Sequence, residues 1–255
     1  QGFSHLTLNW TKGNIHFDPY KEPQDNDVVI LLWSWPERIQ ASARAIAAGK
    51  RLHVIAAEEI LDWLASFGSF EGYANTAVIN GCSIELFPYE PFPSWTWPEG
   101  AQKVVAGLRS PKSVLKRLYQ KRKLPVSMPR VASLRFPSGA QLVHLNLSLH
   151  REQNQSWISD LQKKIGRSDW IVCGCDYHQD EVLAQSLAFF EGDLILLTDL
   201  LSDSRKALGL PTQWLTPIAD KFLDRFSREE KDVQLHVFAP HSSYRFNLKS
   251  LTPTS

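Results

Sequence analysis

The sequence predicts an α/β fold. Residues 3–20 alternate between apolar and polar side chains on both sides of a turn at 11–14, which is the pattern of a β-hairpin. Residues 28–32 form a continuous apolar run of strand length, and further such runs then alternate with helical patterns. A chain of 255 residues that is 43% hydrophobic can bury a large core, so we expect one domain over residues 1–255.

The elements of the first half follow from local signals. The hairpin ends at Asp18-Pro19, and Val28–Leu32 is apolar enough to be a strand buried on both faces. Pro36 suits the first position of a helix, and Gly49 suits its end. The predicted elements that follow are strand Leu52–Ala56, helix Glu58–Phe67, strand Thr76–Ile79 and, after a tight turn at Asn80-Gly81, strand Cys82–Phe87.

The second half repeats the succession of strand and helix. It begins with a strand after the turn at 137–139. In chain order, the predicted elements are strand Gln141–Leu147, helix Trp157–Ile165, strand Ser168–Val172, helix Val182–Phe190, strand Leu194–Leu197, helix Pro217–Phe226 and strand Val233–Phe238.

Two segments carry a resemblance to a known family. Asn14–Tyr20 ends a strand in Asp-Pro, and Leu31–Arg38 follows the next strand and opens a helix. Together they resemble the front of a small, single-domain metallo-β-lactamase-fold hydrolase of the lactonase-like type, in which the second strand ends in Thr-His-x-His-x-Asp-His. The resemblance implies a four-layer αββα sandwich of the metallo-β-lactamase type.

The family's metal ligands are replaced in this chain. Position by position, Leu32 takes the place of the Thr, Trp33 and Trp35 those of the first two His, Glu37 that of the Asp and Arg38 that of the last His. Zinc needs lone pairs, which an indole nitrogen lacks in its ring plane and a guanidinium lacks altogether. One carboxylate, Glu37, does not hold a catalytic ion, so we predict no bound metal and no cofactor.

The later family motifs are changed as well. The Gly-Asp-Thr turn falls near residues 146–148, and the final His falls near Asp199. We therefore predict a non-catalytic protein with hydrolase ancestry that acts as a ligand-binding or interaction module. A metal-dependent hydrolase with displaced ligands, such as Asp18, Asp199 and His144 or His150, is the first alternative.

The replaced loop has two interpretations. In the first, Trp33 and Trp35 fill the former metal cavity, with Glu37 paired to Arg38 or another neighbour. We expect this of Trp33, which follows Leu32 directly, whereas Trp35 is the better candidate for a ligand-facing ring. Alternatively, Trp33 and Trp35 join Trp95 and Trp97 in an aromatic pocket that stacks a planar or sugar ligand, and Arg38 is available to a carboxylate or phosphate.

Positive charge is concentrated in the middle of the chain, although the formal net charge is only +1. No acidic residue lies between Glu99 and Glu152, whereas eleven Lys and Arg residues do. Ser110-Pro111 and the apolar positions after it predict a helix with basic residues around it. The segment 103–135 is either a solvated surface or a site for a protein or polyanion partner, which makes a nucleic-acid-associated protein the second alternative. The candidate anion-binding residues are Arg109, Lys112, Lys116, Arg117, Lys121, Arg122 and Lys123.

Cysteine usage bears on the cellular compartment. Cys82, Cys173 and Cys175 are odd in number and irregular in spacing, which does not indicate a disulfide framework. We expect a reduced, cytoplasmic chain. No run of apolar residues is long enough to span a bilayer.

Overall fold

A computed structural model describes residues 6–10, 13–19, 21–33, 36–88, 124–125, 127–128, 130–145, 155–175, 192–199 and 234–237. The chain divides into two compact units, each of which contains one β-sheet. The five-stranded unit comprises Leu6–Ala74 and Pro88–Pro129, and the seven-stranded unit comprises Gln1–His5, Asn75–Phe87 and Arg130–Ser255. The expectation of a single domain stays a prediction.

The five-stranded unit combines one sheet with two helices. Its sheet order is β1-β2-β3-β4-β5. The pair β1/β2 is the antiparallel hairpin, and β2 through β5 run parallel to one another. The strands are β1 (Leu6–Trp10), β2 (Gly13–Phe17), β3 (Val28–Ile30), β4 (His53–Ala56) and β5 (Glu71–Ala74), and the helices are α1 (Pro36–Ala47) and α2 (Glu58–Ala65).

The core of this unit lies where the sheet meets the helices. Val29 and Val54 of the central strands pack in one cluster with Ile39 of α1 and Leu64 of α2, all of them completely buried. Every side chain of Val28–Leu32 is at most 4% exposed, which confirms that this run is buried on both faces. Such burial places the end of β3 inside the protein, and the loop at which the resemblance expects metal ligands starts from this position.

The seven-stranded unit mixes antiparallel and parallel pairing. Its sheet order is β12-β11-β10-β9-β8-β7-β6, with β6/β7 and β8/β9 antiparallel and β9 through β12 parallel. The strands are β6 (Thr76–Ile79), β7 (Cys82–Pro88), β8 (Arg130–Arg135), β9 (Gln141–Leu145), β10 (Ser168–Cys175), β11 (Gly192–Asp199) and β12 (Gln234–Val237), with α3 (Gln155–Ile165) between β9 and β10.

Most predicted elements are present within a few residues of the expected bounds. Asn80 and Gly81 both have positive φ, 52° and 83°, as the predicted tight turn between β6 and β7 requires. Strands β5 and β8 were not predicted. The predicted helices Val182–Phe190 and Pro217–Phe226 lie outside the described residues. In the described part of the chain, no helix is long and apolar enough to cross a membrane.

Candidate functional site

The candidate site begins where β3 ends. The main chain continues in sheet-like fashion beyond the strand, because Leu31 N donates to Ile55 O at 3.0 Å. Leu31 and Leu32 are completely buried, whereas Trp33 is only partly buried. The transition from core to surface therefore falls at Trp33, the first position at which the resemblance expects a metal ligand.

Asp18 closes the neighbouring strand and is tied to the same loop. Its main-chain N–H donates to Ile30 O at 2.9 Å, and its carboxylate Oδ1 accepts the N–H of Leu32 at 2.9 Å. The residue is 7% exposed and has a φ of 45°, a conformation in which Asp is one of the better tolerated residue types. The positive φ turns the chain at the Asp-Pro step, and the carboxylate then caps the backbone of the loop beyond β3.

Arg38 lies in the first turn of α1 and is also buried. It is 2% exposed, and its guanidinium nitrogen NH1 donates to the main-chain oxygen of Asp18 at 2.7 Å. This contact joins residues 20 positions apart and fixes the start of α1 against the end of β2. A guanidinium remains charged in proteins, so the contact places a permanent cation inside the five-stranded unit.

The electrostatics of Asp18 reflect these surroundings. Burial raises the pKa of its carboxyl from 3.8 to about 6. The N–H of Leu32, the positive charge of Arg38 and the N–H of Trp33 act in the opposite direction, because each stabilises the carboxylate. Desolvation exceeds the three favourable contacts combined, so Asp18 takes up a proton more readily than an ordinary aspartate.

Several other predicted site positions are only partly described. Glu37 lies in the first turn of α1, and Asp199 is the last residue of β11, opposite Cys175 in the parallel pair β10/β11. Their side chains lie outside the described part of the protein. The structure therefore brings together Asp18, the Leu32–Trp33 backbone and Arg38. The predicted site residues that fall entirely outside the described residues are Trp35, Trp95, Trp97, Arg109, Lys112, Lys116, Arg117, Lys121, Arg122 and Lys123.

Two further residues that could take part in chemistry are buried. His144 lies in β9 at 7% exposure, and burial lowers its pKa to about 4, which keeps the imidazole neutral at physiological pH. Cys82 in β7 is 1% exposed, and burial raises the pKa of its thiol to about 11. The thiolate is therefore scarce, and the thiol is unreactive. Across the described ranges, no group of three or more His, Cys, Asp or Glu residues is placed to hold a metal ion.

A second polar cluster, which the sequence analysis did not identify, supports β3 from its other end. The carboxylate of Asp27, which is 2% exposed, accepts the N–H groups of Asn14 at 3.1 Å and Gln24 at 2.7 Å. His16 Nε2 donates to the same carboxylate at 2.8 Å, and His16 Nδ1 lies 3.0 Å from Thr7 Oγ1. The only sequence signal was the Asp25-Asn26-Asp27 run just before the apolar strand. The cluster joins β1, β2 and the start of β3, which is a structural role.

Comparison with known proteins identifies the fold. No protein-family profile and no curated protein sequence matches the chain. Among solved structures, it is similar to CmlA, a diiron β-hydroxylase from Streptomyces venezuelae, with a TM-score of 0.53 and 9% identity over 92% of this chain and 51% of CmlA. A single-residue variant of CmlA gives a TM-score of 0.55 at 8% identity, over 93% of this chain and 51% of the variant. A Thermotoga maritima protein assigned to the metallo-β-lactamase superfamily gives 0.48 at 12% identity, over 92% of this chain and 94% of that protein.

The protein has the metallo-β-lactamase fold, as the resemblance in the sequence predicted. The α/β fold class is confirmed with it. This chain spans about half the length of CmlA, and sequence identities near 10% establish a shared fold and nothing about a shared reaction.

Proposed function

We propose that this protein is a non-catalytic metallo-β-lactamase-fold protein that acts as a ligand-binding or interaction module. In this proposal the places of the family's clustered metal ligands are taken by Trp33, Trp35, Glu37 and Arg38. The observation that carries the proposal is the buried guanidinium of Arg38, which donates to the main-chain oxygen of Asp18 at 2.7 Å. A hydrolase of this fold needs a metal ion near this loop, whereas this chain keeps a fixed positive charge there.

The residues that the structure describes at this loop do not fit a divalent cation. Two positive charges in a poorly hydrated interior repel each other strongly, because the low dielectric screens them little. Arg38 has no lone pair to offer and does not lose its proton to make room for a metal. Burial disfavours the charged form of Asp18 and raises its pKa to about 6, which weakens it as a metal ligand.

The alternative of a hydrolase with displaced ligands finds no support in the described residues. It relied on Asp18, Asp199 and His144. Asp18 and His144 are each only 7% exposed, and His144 lies within the central strand β9. A catalytic ion also needs an open coordination position for water or substrate, which a side chain buried within a sheet does not provide.

Trp33 supports a binding role more than a purely structural one. A side chain that only filled the former cavity would be as buried as Leu32, which is completely inaccessible. Trp33 instead keeps part of its surface in solvent. Large aromatic side chains with part of their surface in solvent are common at binding surfaces. The proposed ligand contact therefore lies on the Trp33 side of the loop.

The experiment that tests the absence of catalysis is a hydrolysis assay with a reconstructed variant beside the wild type. Wild-type protein should hydrolyse no generic ester, lactone or phosphodiester substrate, with or without added zinc. The fourfold variant Trp33→His, Trp35→His, Glu37→Asp and Arg38→His restores the family's ligand types and should gain zinc affinity. Arg44→His, an exposed change on the same helix, is the matched control and should gain none. Zinc-dependent turnover by the wild type would refute the proposal.

A further inference from the structure

Strand β6 lies at one edge of the seven-stranded sheet and exposes an apolar side chain. Among the described strands it is the last in the sheet order, and on its inner side it pairs with β7. Val78 of this strand is 73% exposed, more than any other large hydrophobic side chain in the described part of the chain. The strand, Thr76–Ile79, contains no charged residue and no proline, the residue types that commonly keep an edge strand from pairing with another chain.

The geometry of the β6/β7 hairpin determines which main-chain groups point off this edge. Just before β6, the N–H of Leu86 in β7 donates to the main-chain oxygen of Asn75 at 2.7 Å. Hydrogen-bonded positions alternate along an antiparallel ladder, so every second residue from Asn75 onward directs its N–H and C=O groups toward β7. The N–H and C=O groups of the residues between them, Thr76 and Val78, therefore point away from β7.

These outward donors and acceptors are complementary to those of the same strand in a second copy of the chain. We propose that β6 pairs antiparallel with β6 of a second copy, about a twofold axis at Ala77. In that register Thr76 lies opposite Val78 of the second copy, and the axis repeats the pair, so the outward N–H and C=O groups form four hydrogen bonds. The seven-stranded sheet then continues into its copy.

The two faces of the strand support this register. Directly opposite residues of an antiparallel pair share a face, so exposed Thr76 meets exposed Val78, and Ala77, which is 8% exposed, meets its own copy. An axis midway between Ala77 and Val78 would instead place a core-facing residue opposite a solvent-facing one. A contact confined to two four-residue strands is smaller than the roughly 800 Å² per partner of a standard interface, so the dimer should dissociate on dilution. This inference stands independently of the proposed loss of catalysis.

Sedimentation velocity over a series of protein concentrations tests the pairing. Wild-type protein should pass from monomer to dimer as its concentration rises. Val78→Lys places like charges at the contact and should raise the concentration of half-dimerisation roughly tenfold or more. Ser83→Lys is the matched control, because Ser83 is the exposed cross-strand neighbour of Val78 on β7 and lies away from the edge. It adds the same charge to the same hairpin and should leave dimerisation unchanged.

Cysteine cross-linking tests the register without adding charge. A mixture of Thr76→Cys and Val78→Cys proteins should form an intermolecular disulfide faster than either protein alone, because paired Cα atoms about 5.5 Å apart are within reach of a disulfide. Wild-type protein is the control for the native thiols. Equal rates in the mixture and in the single variants would overturn the axis at Ala77. A wild type that stays monomeric at every concentration, or equal dimerisation of the Val78→Lys and Ser83→Lys proteins, would overturn the pairing itself.

Discussion

Arg38 donates a hydrogen bond from its guanidinium to the main-chain oxygen of Asp18 at 2.7 Å, and both residues are more than 90% buried. The contact joins the first turn of α1 to the end of β2. Because the Asp18 carboxylate in turn accepts the N–H of Leu32, the two residues also fix the loop beyond β3. In our proposal, Arg38 occupies a position at which the family has a metal ligand, and its side chain here stabilises the loop.

Removing the guanidinium should destabilise the protein strongly. Arg38→Met keeps much of the side-chain volume but removes the N–H donated to the Asp18 main-chain oxygen and the positive charge that acts on the Asp18 carboxylate. Loss of a buried hydrogen bond from a charged group costs about 1.5–3 kcal/mol. Arg44→Met on the same helix removes an exposed ion pair with Glu22, which contributes about 0–1 kcal/mol. Urea unfolding of both variants measures the difference. Similar losses would show that the Arg38 contact contributes little.

Asp18 should make stability depend on pH in an unusual direction. Its pKa in the folded protein is about 6, above its ordinary value of 3.8, so between these values the folded state binds more protons than the unfolded state. The contribution of Asp18 to the free energy of unfolding therefore rises as pH falls from 6 to 4 and is lost as pH rises through 6. The full effect is about 3 kcal/mol.

Asp18→Asn provides the control for this pH dependence. The amide keeps an oxygen acceptor for the N–H of Leu32 but does not titrate. The difference in melting temperature between wild type and variant should therefore change between pH 4.5 and pH 7.5, in favour of the wild type at low pH. A difference that is constant across this range would contradict the raised pKa.

Truncating a side chain of the loop beyond β3 should lower stability more when that side chain is more deeply buried. Leu32 is completely buried, so Leu32→Ala should cost about 2–5 kcal/mol through lost packing and a residual cavity. Trp33 is partly exposed, so Trp33→Ala should lower the melting temperature by less, although more atoms are removed. Thermal unfolding of the two variants ranks them directly. A larger fall for Trp33→Ala would restore the interpretation in which Trp33 fills the old cavity.

The basic segment should bind polyanions in a salt-dependent way if it serves a nucleic-acid or acidic partner. Affinity for a DNA or RNA oligonucleotide should then fall steeply between low and physiological salt, because binding releases counterions. Charge reversal to Glu at Lys116, Arg117, Lys121 and Arg122 should abolish binding while the melting temperature stays close to that of the wild type. Unaltered affinity in this variant would eliminate the anion-binding hypothesis.

Local signals in the sequence were enough to predict most of the fold. The run Val28–Leu32 is apolar without interruption, and burial on both faces is the only environment that suits it.

Strands β5 and β8 were missed for opposite reasons. Glu71–Ala74 has neither an apolar run nor alternation, and it forms a strand because the parallel edge of β4 supplies its partners. Arg130–Arg135 begins and ends with Arg and was counted as part of the basic segment, although four of its residues are buried.

The candidate site was less predictable because its contacts are distant in sequence. The residues Asp18, Trp33 and Arg38 were identified through the resemblance, but the partner of Arg38 was expected to be Glu37 or another neighbour, or an external carboxylate or phosphate. The structure buries the guanidinium and directs one of its N–H groups to the Asp18 carbonyl. The side chain of Glu37 lies outside the described residues, so its pairing with Arg38 stays a prediction. Main-chain acceptors leave no trace in side-chain patterns, so no sequence signal could have indicated this partner.

Elemental analysis of the purified protein tests the central proposal most directly. Protein incubated with zinc, iron or manganese and then dialysed should retain well below one ion per chain, because Arg38 keeps a positive charge at the loop and Trp33 offers no lone pair. The Arg38→Met protein, treated in the same way, shows whether the charge alone excludes the ion. Retention of about one ion per wild-type chain after dialysis would contradict the proposal that the metal site has been lost.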